Sequence, residues 1–462
     1  MKKVSCKNLI VLFVFCAVTL FMSSVAFGLV RYEVIDLGIP DGDYTDTTAK
    51  GINDSGQVAG TVGSFDHPDG DDHSYAFVWN KSTGFQVLGD SGYKYLEAMR
   101  INYSGQVAGG ARAYSGNNYA LFWENGSITN LGIGRANDIN NSGQIVVGNQ
   151  SVGSSFIWDS SNGKQFLSGS DYIYPWGIND LGQVVGDARN PTPGFDTQAF
   201  IWDSTNGLKF LYQPAEYMTS SAQDINESGS IVGYAHDVNY PHPNMPVLWS
   251  DANTNVKLGE YPGRALAINE AGQVVGGVSM PGEGYIHGFV WDEVNGLRDL
   301  TELVSPYQGL EFIGYATDIN EAGQIVATAR IDGESHAVLL IPFDEIQIDI
   351  RPEVYPNTIN TRSKTVTVAI LSSTSFYAPD DVIVNRLSLT FGPTGDEQSL
   401  LSCATRKPKD VNGDTLKDLV CTFSIKDAGF ISGDEVGILK GTTETGTSFE
   451  GSDEVLITTP RK

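Results

Sequence analysis

The stretch Ile178-Asn179-Asp180-Leu181-Gly182-Gln183-Val184-Val185-Gly186 decides the fold, because its phrase recurs seven times along the chain. The pairs are Ile52-Asn53, Ile101-Asn102, Ile139-Asn140, Ile178-Asn179, Ile225-Asn226, Ile268-Asn269 and Ile319-Asn320. Each is followed three residues after the asparagine by a glycine: Gly56, Gly105, Gly143, Gly182, Gly229, Gly272 and Gly323. Asn opening a four-residue turn and Gly closing it suit a tight reversal, since Asn bonds its own backbone and Gly adopts positive φ. The asparagines lie 38 to 51 residues apart.

Around the phrase, each unit reads as four short strands. The first ends at Ile-Asn and the second is Gln-Val-Val-Gly or a variant. The third ends in Trp, as in Ala76-Phe77-Val78-Trp79, Ala199-Phe200-Ile201-Trp202 and Gly288-Phe289-Val290-Trp291. Leu340 replaces that Trp in the last unit. Asp-x-x-Asn-Gly turns such as Asp159 to Gly163 lead to a Leu-rich fourth strand. Four antiparallel strands per unit, repeated in this way, predict an all-β, seven-bladed β-propeller. The seventh unit lacks a fourth strand, and a matching segment, Tyr32 to Gly38, precedes the first. The N-terminal strand is therefore expected to close the ring by pairing with residues 336–341.

The phrase, followed by His/Gln-Ala-Phe-hydrophobic-Trp, resembles the bacterial extracellular repeats called the HAF family, over roughly residues 32–343. That resemblance implies an extracellular location and no assigned reaction. The histidine stands only at His287 and His336, with Gln198, Tyr75 and Tyr119 elsewhere, which argues against a chemical role for it.

The composition agrees with export. Lys2, Lys3 and Lys7, the apolar run Leu9 to Met22, and small residues at Ser23, Ser24, Ala26 and Gly28 read as a signal peptide over residues 1–28. No other long apolar segment follows, so no membrane span is expected after cleavage, and the location is secreted, extracellular or periplasmic. The formal net charge of −26 over 462 residues excludes a phosphate-binding nucleic-acid partner. It suits a solvated exported protein. Residues 29–343 are the repeat domain and 344–462 a second domain.

That second domain alternates in strand fashion, as in Val366-Thr367-Val368-Ala369-Ile370, and is read as a β-sandwich. The stretch Ile348-Asp349-Ile350-Arg351-Pro352 through Asn360 resembles a module at the C-termini of assorted exported bacterial proteins. Cys403 and Cys421 are the two cysteines left after signal removal, and the oxidising setting favours a disulfide. Asp410, Asn412, Asp414 and Asp418 stand at positions 1, 3, 5 and 9 of a short loop, with the Leu416 carbonyl at position 7. Such oxygens wrap a hard cation, and the run resembles the Ca²⁺ loops of dockerin-like modules. Position 12 is Cys421 in place of Glu, and position 6 is Thr415 in place of Gly.

Catalytic signals are sparse. The six histidines are scattered, and no His-Glu-x-x-His, Gly-x-Ser-x-Gly or P-loop occurs. The insertion Asp66 to Asp72, with His67 and His73, and the Pro-rich segment holding His236 and His242 read as exposed loops. Arg100, Asp138, Asp224 and Asp318 precede Ile-Asn and are expected to face a central channel. The three aspartates read either as an acidic ring or, the favoured reading, as groups that stabilise the turn by side-chain-to-backbone bonds. Trp176 falls outside the repeated Trp position and is a candidate ligand-contacting aromatic. Two readings stay open. The first is a non-enzymatic binding scaffold for an extracellular glycan or protein. The second is a secreted polysaccharide hydrolase or lyase using Asp138, Asp224 and Asp318 as an acidic channel. Near-equal repeats favour the first.

Overall fold

The computed structural model describes residues 30–458 except 43, 65–72, 90–91, 150–153, 192–196, 215–216, 238–243, 353 and 374–375. The signal segment 1–28, the insertion Asp66–Asp72 and His242 lie outside the described residues. The chain is all-β, with three four-residue helices among the described residues. It divides into two compact units, Val30–Phe343 and the residues from Asp344 onward. No helix among the described residues is long and apolar enough to cross a membrane.

In the first unit each repeat folds into consecutive antiparallel strands. In the fourth repeat these are Ile173–Ile178, Val184–Arg189, Thr197–Asp203 and Gly207–Phe210, paired in that order. The seventh repeat supplies Leu310–Ile319, Ile325–Ile331 and Glu334–Glu345, and Val30–Asp36 pairs with the last of these. The Leu37 amide donates to the Ala337 carbonyl at 3.0 Å. Internal symmetry supports the placement: His336 Nδ1 meets Asp36 Oδ2 at 2.8 Å, as His287 Nδ1 meets Asp299 Oδ2 at 2.7 Å one repeat earlier. The repeat histidines thus tie third strands to fourth strands. Leu37, Val58 and Phe77 pack in one core with Val326, Ala337 and Leu339, joining the first repeat to the last.

Two regularities explain why these sequences stack as sheets. The first apolar residue of each second strand stands opposite the repeat Trp, from Val58–Trp79 to Ile231–Trp249, and opposite Leu340 at Ile325. Trp249 is fully buried, and such burial stabilises by about 2–3 kcal/mol per side chain. The repeated Trp residues are therefore packing groups. Each first strand also carries a bulge just before Ile-Asn, for example between Ala136 and Asp138 and between Ala222 and Asp224. The bulge turns the residue before Ile toward the neighbouring repeat.

In the second unit, one sheet runs Ile348–Ile350, Thr365–Ile370, Leu419–Ser424, Leu400–Cys403. Leu389–Gly392, Val436–Thr442 and Ser448–Glu454 pair in another. Ile350, Val368, Phe391, Phe423, Leu439 and Phe449 from both sheets share one core. Cys403 and Cys421 face each other on adjacent strands with Cα atoms 4.0 Å apart, at disulfide distance.

Candidate functional site

The seven asparagines do more than shape turns. Asn53 Oδ1 accepts from the Gln57 amide at 2.9 Å, and its Nδ2 donates to the carbonyl of Asn102 in the next repeat at 2.9 Å. The same link runs from Asn102 to Asn140, Asn140 to Asn179, Asn179 to Asn226, Asn226 to Asn269 and Asn269 to Asn320. Asn320 returns to Asn53. All seven are buried. The asparagine amide carries an acceptor oxygen and donor hydrogens on separate atoms, so it accepts from its own turn and donates to its neighbour at once. The residues after these asparagines make a second, exposed chain. The Glu321 amide donates to Asp54, that of Glu270 to Glu321, and that of Asp180 to Glu227.

Two residues before each asparagine, the order around the circle is Gly51, Arg100, Asp138, Gly177, Asp224, Ala267 and Asp318. Each Asp accepts from the amide that follows it and from the Ile amide of the next repeat. Asp138 bonds Ile139 and Ile178 at 2.8 and 2.9 Å; Asp224 bonds Ile225 and Ile268, both at 2.9 Å; Asp318 bonds Ile319 and Ile52 at 3.1 and 2.8 Å. The receiving repeat carries a small residue in each case: Gly177, Ala267 or Gly51. The space is tight, since a Cβ on Gly177 would stand 3.1 Å from the Asp224 Cα. Seven is odd, so the alternation cannot close, and Arg100 occupies the remaining place. Its Nη1 donates to the carbonyls of Lys50 and Met99, and its Nε lies 4.0 Å from Asp138 Oδ1.

Burial pushes the carboxyls up: Asp138 to about 7, against Arg100 and two amide donors, Asp318 to about 6, and Asp224 in the same direction. Burial also opposes the Arg100 charge, but Asp318, Asp138 and Asp224 outweigh it and hold the guanidinium above its ordinary value. The four sequence candidates are thus brought together, with both oxygens of each aspartate and Nη1 of Arg100 committed to backbone.

Trp176 belongs to a different constellation, toward the start of the first strands. Five residues before each asparagine stand Thr48, Glu97, Arg135, Tyr174, Ser221, Arg264 and Tyr315. Here the junctions between repeats differ. Arg135 pairs with Glu97 of the preceding repeat. Tyr174 lies over Gly148, where a Cβ would come within 2.7 Å of its ring. Ser221 Oγ donates to Asp187 Oδ1 at 3.0 Å, and Trp176 Nε1 donates to the same oxygen at 2.8 Å. Arg264 stacks over the Tyr234 ring at 4.5 Å. Tyr174 and Trp176 are 4.8 Å apart between centroids. Burial raises Asp187, against the Trp176 and Ser221 donors, and no donor among the described residues reaches its Oδ2. A cavity of about 710 Å³ opens at this level, lined by Tyr95, Tyr119, Tyr174, Arg112, Asn118 and Asn149 among others. Apart from Trp176, none of these was singled out from sequence. The signal available was the divergence of one column among otherwise equal repeats.

In the second unit, Asp410 Oδ1 and Oδ2 accept from the Gly413 and Thr415 amides at 2.7 and 3.0 Å. Asn412 accepts from Asp414, and Asp414 from the Leu416 amide. Asp418 is fully buried, with Oδ1 on the Ser372 amide and Oδ2 on the Val411 amide. Asp410, Asn412 and Asp414 thus hold the loop through their own side-chain oxygens, with Asp414 Oδ2 also accepting from Asn412 Nδ2 at 3.0 Å, and Asp418 is a buried strut. Among the described residues no three His, Cys, Asp or Glu side chains converge as a metal cluster.

No family model matches the chain, and no curated protein does. Solved structures similar to it include the β-propeller domain of the Trilobed protease from Pyrococcus furiosus, at 13% identity over 64% of this chain and 92% of that one, TM-score 0.43. Virginiamycin B lyase from Staphylococcus aureus is similar at 10% identity over 68% of this chain and 99% of that one, TM-score 0.42. Pyrococcus horikoshii acylaminoacyl peptidase is similar at 10% identity over 72% of this chain and 59% of that one, TM-score 0.43. At these scores the likeness carries nothing about activity.

Proposed function

We propose that this chain is an exported binding scaffold: a seven-bladed propeller closed by its N-terminal strand, followed by a β-sandwich, which receives its ligand where the first strands begin. One contrast carries the reading. At the turn end all seven repeats present the same buried asparagine. Five residues earlier they present Thr, Glu, Arg, Tyr, Ser, Arg and Tyr. A ring that only had to hold itself together would have no use for that diversity. Tyrosines, asparagine amides and an arginine lining one cavity are the chemistry of a small-ligand or glycan site. The hydrolase or lyase reading is weaker, because Asp138, Asp224 and Asp318 each commit both oxygens to backbone amides.

The test is a glycan array on the mature chain, paired with an assay for released reducing ends or unsaturated products. Binding that Tyr174→Ala and Tyr119→Ala abolish, without turnover, supports the scaffold. Turnover lost in Asp138→Asn would replace it with the enzyme.

We propose, second, that 410–418 holds Ca²⁺ through Asp410, Asn412, Asp414 and the Leu416 carbonyl. The favouring observation is that Thr415, a β-branched residue, is held at φ +79°, in the left-handed region the sixth position of such a loop requires. A Ca²⁺-dependent rise in melting temperature, absent in Asp414→Ala, is expected. Equal melting with millimolar Ca²⁺ and with chelator would reduce the loop to a turn.

A further inference from the structure

The cavity at the start of the first strands also has a charge preference. Its walls include the rings of Tyr95, Tyr119 and Tyr174, and Asn118 lies exposed at its edge. Arg135 is neutralised by Glu97. Arg112, which lines the same cavity, is exposed and makes no ion pair or side-chain hydrogen bond among the described residues. An unpaired arginine is conspicuous in a chain with 55 acidic and 29 basic residues.

A second cation lies close by. Lys50 is half-buried, on the first strand of the first repeat, and no acceptor among the described residues reaches its Nζ. Burial lowers its pKa, with Arg135 and Arg100 adding to the effect and Glu97 opposing it. The Lys50 carbonyl accepts from Arg100 Nη1 of the second repeat at 2.7 Å, on the strand next to that repeat. With Arg135 paired to Glu97, the exposed Arg112 guanidinium is the local excess of positive charge at the cavity. Beyond roughly 8 Å the remaining negative charge of the protein is screened at physiological salt, so this local balance decides what enters.

We propose that this cavity binds a saccharide bearing a carboxylate, a uronic-acid unit whose ring lies against the tyrosines and whose carboxylate pairs with Arg112. Arginine presents two parallel N–H donors that match a carboxylate. The tyrosine faces take the apolar side of a pyranose, and the exposed amides of Asn117 and Asn118 meet hydroxyls. Lys50 adds attraction without direct contact. The inference rests on the binding-scaffold reading above and names its ligand class.

The experiment is calorimetric titration of the full mature chain with three hexasaccharides: an oligogalacturonate, a neutral galactan and a sulfated galactan. Wild type, Arg112→Gln and Tyr119→Ala are compared. Arg112 has no internal partner, so its glutamine variant keeps the fold. The oligogalacturonate is expected to bind best, to weaken with added salt, and to lose at least tenfold in affinity in Arg112→Gln. Tyr119→Ala should weaken it as well. Equal affinity in wild type and Arg112→Gln overturns the proposal, as does tighter binding of the neutral or sulfated sugar. Neutral-sugar binding that Tyr119→Ala removes and Arg112→Gln leaves intact would keep the scaffold and reject the carboxylate. Absence of binding by all three sugars overturns the uronic-acid assignment and leaves the scaffold to the array.

Discussion

The Asn320 side-chain amide donates to the backbone carbonyl of Asn53 at 3.0 Å, across 267 residues of sequence. Six other asparagines make the same link between neighbours, so the last repeat recognises the first as each recognises its successor. The first and last repeats are thus linked by the Asn320 side-chain amide at the turn end, and Val30–Asp36 pairs with Glu334–Glu345.

Asn320→Asp tests that closure. A carboxylate there has no donor for the Asn53 carbonyl and brings a buried charge against it. A loss of about 2–4 kcal/mol is expected, read from urea denaturation of the full chain. A loss under about 0.5 kcal/mol would mean the link is incidental.

Asp36 and His336 provide a second check on the same junction. A double-mutant cycle of Asp36→Ala and His336→Ala should give a coupling of about 1 kcal/mol. The cycle Asp299→Ala with His287→Ala should give a similar value, since the pairs occupy matching places. Additive effects at the first pair would remove the N-terminal strand from its assigned position.

The buried carboxyls make stability depend on pH. Asp138 titrates near 7 and Asp318 near 6 in the folded chain, against about 3.9 when unfolded. The folded state therefore binds protons more readily. The contribution is present at low pH and is lost as pH rises through 6 to 7. Melting temperature should rise from pH 8 to pH 5.5, by a contribution of about 2 kcal/mol from Asp138. Asp138→Asn should flatten the profile, while lowering stability overall because its amide faces a backbone donor. An unchanged slope in that variant would refute the assignment.

Much of this was legible because it is periodic. The turn phrase, the Trp opposite each second strand and the orphaned N-terminal strand all repeat, and repetition separates signal from chance. The bulge before Ile-Asn was not legible, since it adds no distinctive residue and only changes which way Asp138, Asp224 and Asp318 point. Without it those residues read as channel-facing; with it they bond the next repeat. The alternation of Asp with Gly177, Ala267 and Gly51 was in the sequence, but its meaning requires the repeats to be neighbours in a circle. Glu97, Arg135 and Tyr174 escaped for the opposite reason. A search for what repeats discards the column that differs, and these three of its residues line the cavity.

In the second unit, the disulfide predicts a separable effect. Cys403→Ala with Cys421→Ala should destabilise that unit by roughly 3 kcal/mol in the chain-entropy account, and leave ligand binding by the first unit unchanged. Two free thiols in the unfolded, unreduced mature chain would contradict the bond.

The central claim is that the repeats bind with the end where they differ and hold together with the end where they agree. Hydrogen–deuterium exchange of the mature chain, with and without the tightest-binding glycan of the array, measures this directly. Protection is predicted in 95–119 and 133–149, around Tyr119 and Arg135, and at Tyr174. Protection confined instead to the turns at Asp54, Glu227, Glu270 and Glu321 would put the ligand on the opposite end and contradict the account.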